Sequence, residues 1–216
     1  MTVDVYFLKT RDISHLEKEC LDENGRLIIV PSSVYQAYPQ EILSQFCVVH
    51  GFYGLPTTEL IEWLKTKIIG KAVEIGAAHA AIAKTLNIHA CDSFQQDEIN
   101  LKNAYKELGQ KTVPYDYKYV SKCDANTFLK RSNYKTVIGS WVTYKYNEKE
   151  HERGGNYFGI DELKIIKKSR YILIGNERVH SKSPAMDLKH EKYQFPWLFS
   201  RSLYPEKNFI YEWNLN

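Results

Sequence analysis

Residues 71–96 read KAVEIGAAHAAIAKTLNIHACDSFQQ, and how these 26 residues fold decides the architecture. Ala72, Val73 and Ile75 form a short apolar run that ends at Gly76, a residue free to take backbone angles that a Cβ resists. Residues 77–86 are rich in Ala and Leu, which predicts a helix. Residues 88–91 form a second apolar run that stops at Asp92. The stretch is therefore expected to be strand, tight turn, helix, strand. An acid sixteen residues past a glycine turn can take two ribose hydroxyls, while the turn and helix N-terminus hold the rest of a nucleotide-like ligand.

Working outward, residues 56–68 carry Pro56 and two threonines ahead of Leu60, Ile61, Leu64 and Ile68, the spacing of an amphipathic helix over 59–68 with a Thr N-cap. Beyond Asp92 the pattern predicts a polar helix over 97–108 and a third strand at 118–120. A core strand and its exit follow over 134–146, then a helix opening at Asp161 and a strand over 171–176. Two closing strands are expected at 196–200 and 208–213, joined by a turn at Pro205. This alternation predicts an α/β fold: a Rossmann-like, mostly parallel sheet with helices on both faces and an antiparallel C-terminal strand pair. Residues 1–50 are expected to be an N-terminal extension packed on a core domain of residues 51–216. Within the extension, the residues predict a strand at 2–8, a short helix at 12–21 and partial helix over 34–49.

Composition sets outer limits. The chain has 216 residues, 44% hydrophobic and 25% charged, with a formal net charge of +3, too small to indicate nucleic acid by itself. Its four cysteines, Cys20, Cys47, Cys91 and Cys123, form no CxxC pair, which argues against a zinc or disulfide framework and fits a reducing, cytoplasmic setting. No run reaches the roughly 18 apolar residues of a membrane helix.

The segment Glu74-Ile75-Gly76-Ala77-Ala78-His79-Ala80 resembles the E-x-G-x-G-x-G signature of class I S-adenosylmethionine (SAM)-dependent methyltransferases, with Ala78 and Ala80 where the family carries its second and third glycines. The resemblance runs more weakly from about Phe52 to the C-terminus. It implies SAM as cofactor and methyl transfer to an acceptor whose identity it leaves open. It places Asp92 on the ribose, with Ser93 beside it, and Asp124 on the adenine amino group. Gly76 and Ala77 form the turn, with Glu74 acting through it. Tyr53 and Thr57 stand near the methionine end, and Ser140 at the crevice edge.

Trp141, Tyr144 and Asn156 are candidates for the acceptor pocket, and His180 is the most attractive general base because histidine titrates near neutral pH. Each has a plainer reading as well: helix cap for Thr57 and Asp124, packing for Trp141 and Tyr144, and a polar surface or hydrogen-bonded residue for His180. Three other functions fit the residues. They are a non-catalytic SAM- or nucleotide-binding protein, an NAD-dependent oxidoreductase on the loose pattern Gly76-x-Ala78-x-x-Ala81, and a protein-binding module using the aromatic surface. The methyl acceptor and the oligomeric state stay open.

Overall fold

The strand at the centre of the sheet is the apolar run ahead of Gly76. A computed structural model describes residues 11–213, so the strand expected at 2–8 lies outside the described residues. Nine strands are present among them: Gly54–Leu55 (β1), Ala72–Ile75 (β2), His89–Asp92 (β3), Ser121–Lys122 (β4), Thr136–Ser140 (β5), Arg170–Asn176 (β6), Glu191–Tyr193 (β7), Phe199–Ser200 (β8) and Asn208–Trp213 (β9). Seven form one sheet in the order β4-β3-β2-β5-β6-β9-β7. The first five are parallel; β9 runs antiparallel to both β6 and β7. All four residues of β2 are buried, as expected of a strand with parallel neighbours and helices on both faces.

Side-chain alternation divides the core. Val73, Ile75, Val137, Tyr171 and Leu173 pack on one face against Phe128, Ile165 and Ala185. Ile138, Ile172, Ile174 and Ile210 pack on the other against Leu60, Ile61 and Leu64 of the helix Thr58–Lys67 and Ile82 of the helix Ala81–Leu86. The architecture is thus Rossmann-like α/β, with helices on both faces and an antiparallel closing pair. Helices Ser14–Cys20, Ser32–Gln36 and Gln40–His50 form a separate apolar cluster that incorporates Phe52, Leu55 and Ala81.

Three local expectations are corrected. Residues 77–80 are a turn, and the helix starts only at Ala81. The backbone N–H of Ala77 donates to Cys91 O (3.2 Å) and that of Ala78 to the Asp92 carboxylate, so tertiary acceptors override the helix propensity of alanine. Residues 118–120 are not a strand. Asp116 Oδ1 accepts the N–H groups of Lys118 and Tyr119 and winds the chain into a turn, leaving two residues for β4. β9 pairs antiparallel with β6 and β7, and not with residues 196–200. Phe199 and Ser200 pair instead with Gly54 and Leu55 in a separate two-stranded ribbon.

Candidate functional site

The chain goes from β2 outward through β3 and β4, then returns to β5 on the other side of β2. Strand order reverses at that point, and the crevice outside the carboxyl ends is where open α/β sheets bind ligands. A crevice of about 350 Å³ lies there, large enough for a small molecule.

Its floor is the turn after β2. Gly76 has φ +59, and a Cβ at this position would run into Val142 Cγ1. Ala78 and Ala80 hold φ 46 and 56, left-handed angles that favour glycine. The backbone therefore has the shape of a glycine-rich turn although two of its residues carry methyls. Each such angle costs a Cβ-bearing residue about 1 kcal/mol or more. Asp92 secures the turn: Oδ2 accepts from Ala78 N (3.0 Å) and Oδ1 from Phe94 N (2.8 Å). Burial raises the pKa of its carboxyl, a shift these backbone donors oppose. Glu74, one strand over, accepts from Ala83 N at 2.9 Å in the first turn of the following helix. Burial, reinforced by Asp92, lifts its pKa to about 8.

Beyond Asp92, exposed Ser93 and Asp124 line the crevice. Asp124 also caps the helix Ala125–Leu129, Oδ1 accepting from Thr127 N at 3.0 Å. Tyr115 faces the crevice in front of buried Phe94, ring centroids 4.6 Å apart. On the β5 side, Ser140, Trp141 and Asn156 line the opening with Tyr53 and Phe158. Trp141 terminates β5 with φ 60, an outlier for a bulky residue and a form of stored strain that clusters at binding sites. Its N–H donates to Ile174 O (2.8 Å), and its indole lies over Gly54, where a Cβ would come within 2.9 Å of the ring. The Tyr53 ring stands 6.3 Å from it. The Tyr53 hydroxyl is 2.6 Å from that of Tyr105.

Three candidates from the sequence lie behind the crevice wall. Thr57 is fully buried; its Oγ1 accepts from Leu60 N and donates to Trp197 O, so it is the helix cap alone. Tyr144 is buried beneath the loop 145–159, donating its hydroxyl to Arg153 O. His180 is fully buried at the end of the short helix Glu177–His180. Its Nδ1 lies 3.0 Å from Asn176 O and 3.3 Å from Asn176 N, and its Nε2 lies 3.1 Å from Val142 O, so both ring nitrogens have backbone partners. Burial lowers its pKa, and its ring meets the edge of Trp141 at 5.9 Å instead of opening to the crevice. His180, expected as the general base, thus does not line the crevice. The loop after Tyr144 is tied down by short bridges of Tyr144 to Ile160 and Lys145 to Asn156.

The crevice also contains residues not singled out from the sequence: Tyr105, Gln96, Tyr115 and Phe158. For the two tyrosines the signal was the abundance of Tyr, for which packing is the favoured reading; nothing in the sequence pointed to Gln96 or Phe158. Among the described residues no Lys or Arg lines the crevice, whereas Glu74, Asp92 and Asp124 all do. None of the described His, Cys, Asp and Glu side chains form a group of three able to hold a metal ion.

No family profile matches the chain, and no curated protein matches it either. Comparison with solved structures finds distant likenesses, three of which can be described. The tRNA (uracil-54, C5)-methyltransferase of Pyrococcus abyssi, in complex with S-adenosyl-L-homocysteine, is 11% identical. That match covers 71% of this chain and 36% of that one, at a TM-score of 0.39. A Thermoplasma acidophilum protein is 16% identical, covering 71% and 84% at a TM-score of 0.34. The magnesium protoporphyrin IX methyltransferase of Synechocystis with bound SAM is 14% identical, covering 71% and 76% at 0.35. The chain thus spans about a third of the first of these structures. At such identities and scores the class assignment, a Rossmann-like α/β protein with a crevice at the switch point, stands on the strand order and the site itself.

Proposed function

We propose that the protein binds SAM in the switch-point crevice and transfers its methyl group to an acceptor. The observation that carries this reading is the charge of the crevice: the carboxylates of Asp92 and Asp124 line it with Tyr53, Tyr105, Tyr115 and Trp141, and no described Lys or Arg does. A pyrophosphate-bearing dinucleotide would face carboxylates with no cation to offset them, and the N–H of Ala78 is already given to Asp92. A sulfonium with an ammonium group suits the same field, since aromatic faces and carboxylates both attract cations. The turn retains the shape a glycine-rich loop needs, so the methyls of Ala78 and Ala80 do not close the crevice.

In this reading Asp92 and Ser93 face the ribose, Tyr115 and Asp124 flank the adenine, and Gly76 and Ala77 pass beneath the methionine portion. Tyr53, Ser140, Trp141 and Asn156 border the acceptor. SAM supplies an electrophilic methyl on cationic sulfur. The chain's part is to hold two reactants in line and exclude water, which can supply several kcal/mol of the barrier reduction.

Calorimetric titration with SAM, S-adenosylhomocysteine (SAH) and NAD tests the proposal. Saturable binding of SAM and SAH with none of NAD is the expected result; binding of NAD alone, or of none of the three, overturns it. Asp92→Ala is expected to abolish SAM binding.

A further inference from the structure

The acceptor half of the crevice differs from the donor half in its chemistry. Around the end of β5 the lining is Tyr53, Ser140, Trp141, Thr143, Asn156 and Phe158. None of these is a carboxylate, imidazole, thiol or amine. Of the histidines in this region, His79 lines the crevice on the turn after β2, where its Nδ1 accepts from Ala81 N and burial lowers its pKa to about 4, and His180 is sealed behind Trp141 with both ring nitrogens engaged. The Tyr53 hydroxyl is shared with Tyr105. An acceptor that must lose a proton before it attacks, such as an alcohol or a phenol, finds no basic side chain among the residues around the end of β5. A nucleophile with a lone pair already available at neutral pH needs none.

Charge narrows the class further. A neutral acceptor keeps the total charge in the crevice constant. The acceptor's lone pair forms the new bond to carbon, the S–C bond breaks with its electron pair left on sulfur, and one positive charge passes from sulfur to the acceptor. Carboxylates and aromatic faces that stabilise the sulfonium stabilise the methylated cation as well. An anionic acceptor would enter against Asp92 and Asp124 and would annihilate the charge that these groups favour. Shape gives the last constraint. Trp141 is pinned in a left-handed backbone over Gly54, with the Tyr53 ring 6.3 Å away. Phe158 stands 54% exposed at the mouth. Flat rings favour stacking between such side chains.

We infer that the acceptor is a neutral, planar nitrogen heterocycle, methylated on a ring nitrogen whose lone pair is free at neutral pH, with Trp141 and Phe158 as its stacking residues. This rests on the donor reading above, and the test separates the two. The protein is first titrated with SAH, which reports on the donor site alone. The SAH-loaded protein is then titrated with pyridine-3-carboxamide and pyridine-3-carboxylate, a pair of like shape that differ in charge, using saturation-transfer NMR.

The carboxamide is expected to bind about tenfold or more tighter than the carboxylate. Trp141→Ala and Phe158→Ala are each expected to weaken it about tenfold while SAH affinity holds. Phe158, exposed at the mouth, can be truncated without a folding penalty, which keeps the test decisive if the Trp141 variant is unstable. Supplied with SAM, the wild type is expected to methylate the carboxamide on its ring nitrogen and to leave 3-hydroxybenzamide untouched. If SAH binds normally but the carboxylate binds as well as the carboxamide, or neither binds, or both substitutions leave binding unchanged, or the hydroxyl is methylated instead, the inference is overturned. Failure of SAH itself to bind would overturn the donor reading, and the inference with it.

Discussion

Asp92 Oδ2 accepts the backbone N–H of Ala78 at 3.0 Å, fourteen residues back along the chain, so the carboxylate at the end of one strand fixes the turn that leaves its neighbour. A residue expected to touch the ligand is also the clasp of the turn beneath it.

Removing the clasp separates two effects. Asp92→Ala orphans the N–H groups of Ala78 and Phe94, at about 1–3 kcal/mol for each buried donor left unsatisfied. A stability loss of about 2–4 kcal/mol is expected from urea denaturation, along with loss of SAM binding. Unchanged stability would show that the turn is held by something else.

The turn glycine and its alanines respond oppositely to substitution. Gly76→Ala introduces both a positive φ and a contact with Val142 Cγ1. It is expected to destabilise by about 2 kcal/mol or more. Adding Val142→Ala should relieve the contact but not the backbone strain, leaving a positive coupling between the two sites in a double-mutant cycle. Ala78→Gly relieves φ 46 and is expected to stabilise by about 0.5 kcal/mol, net of the flexibility that glycine adds to the unfolded chain. Ala80→Gly relieves φ 56 but deletes a fully buried methyl, worth about 0.8 kcal/mol, so it is expected to be near neutral. The ordering of the three urea midpoints is the check.

Glu74 makes folding stability fall as pH rises. Its folded-state pKa of about 8 lies above the ordinary glutamate value, so the native state binds more protons than the unfolded one across the interval from about pH 4.5 to 8. Stability contributed by the protonated form is complete below that interval and declines through it, by at most about 1.4 kcal/mol per pH unit. Glu74→Gln is expected to flatten the decline, and Asp92, shifted in the same direction, retains a smaller slope. The same group predicts proton release on SAM binding at pH 7. Calorimetry in buffers of different ionisation enthalpy should show it, and Glu74→Gln should remove it.

His180 behaves as a buried neutral ring. Its folded-state pKa lies below the ordinary value, so the native state binds fewer protons than the unfolded chain. Stability from this residue is full above about pH 6.5 and is lost as pH falls below that. His180→Ala is expected to lower the thermal midpoint and to leave kcat of the folded fraction within about twofold, whereas loss of a general base would cost about 10²–10⁴. A pH-rate profile that loses its acidic limb in this variant would restore the catalytic role.

The sequence by itself determined the frame. Apolar runs at 72–75 and 171–176 and helical spacing at 60, 61, 64 and 68 specify a parallel sheet with covering helices, because periodicity and side-chain hydrophobicity are local properties of the chain. It also placed Gly76 and Asp92 at the two strand ends that meet the crevice. Tertiary structure alone decided the backbone of the turn, where acceptors on Cys91 and Asp92 pull alanines out of a helix they would otherwise enter. It alone decided that Glu191–Tyr193 closes the sheet, since pairing depends on which segment the fold brings alongside β9. It alone divided the candidate residues, sending Thr57, Tyr144 and His180 behind the wall and bringing Tyr105, Tyr115 and Phe158 to its face. Burial and hydrogen-bond partners lie across long loops, and residue type and spacing carry no record of them.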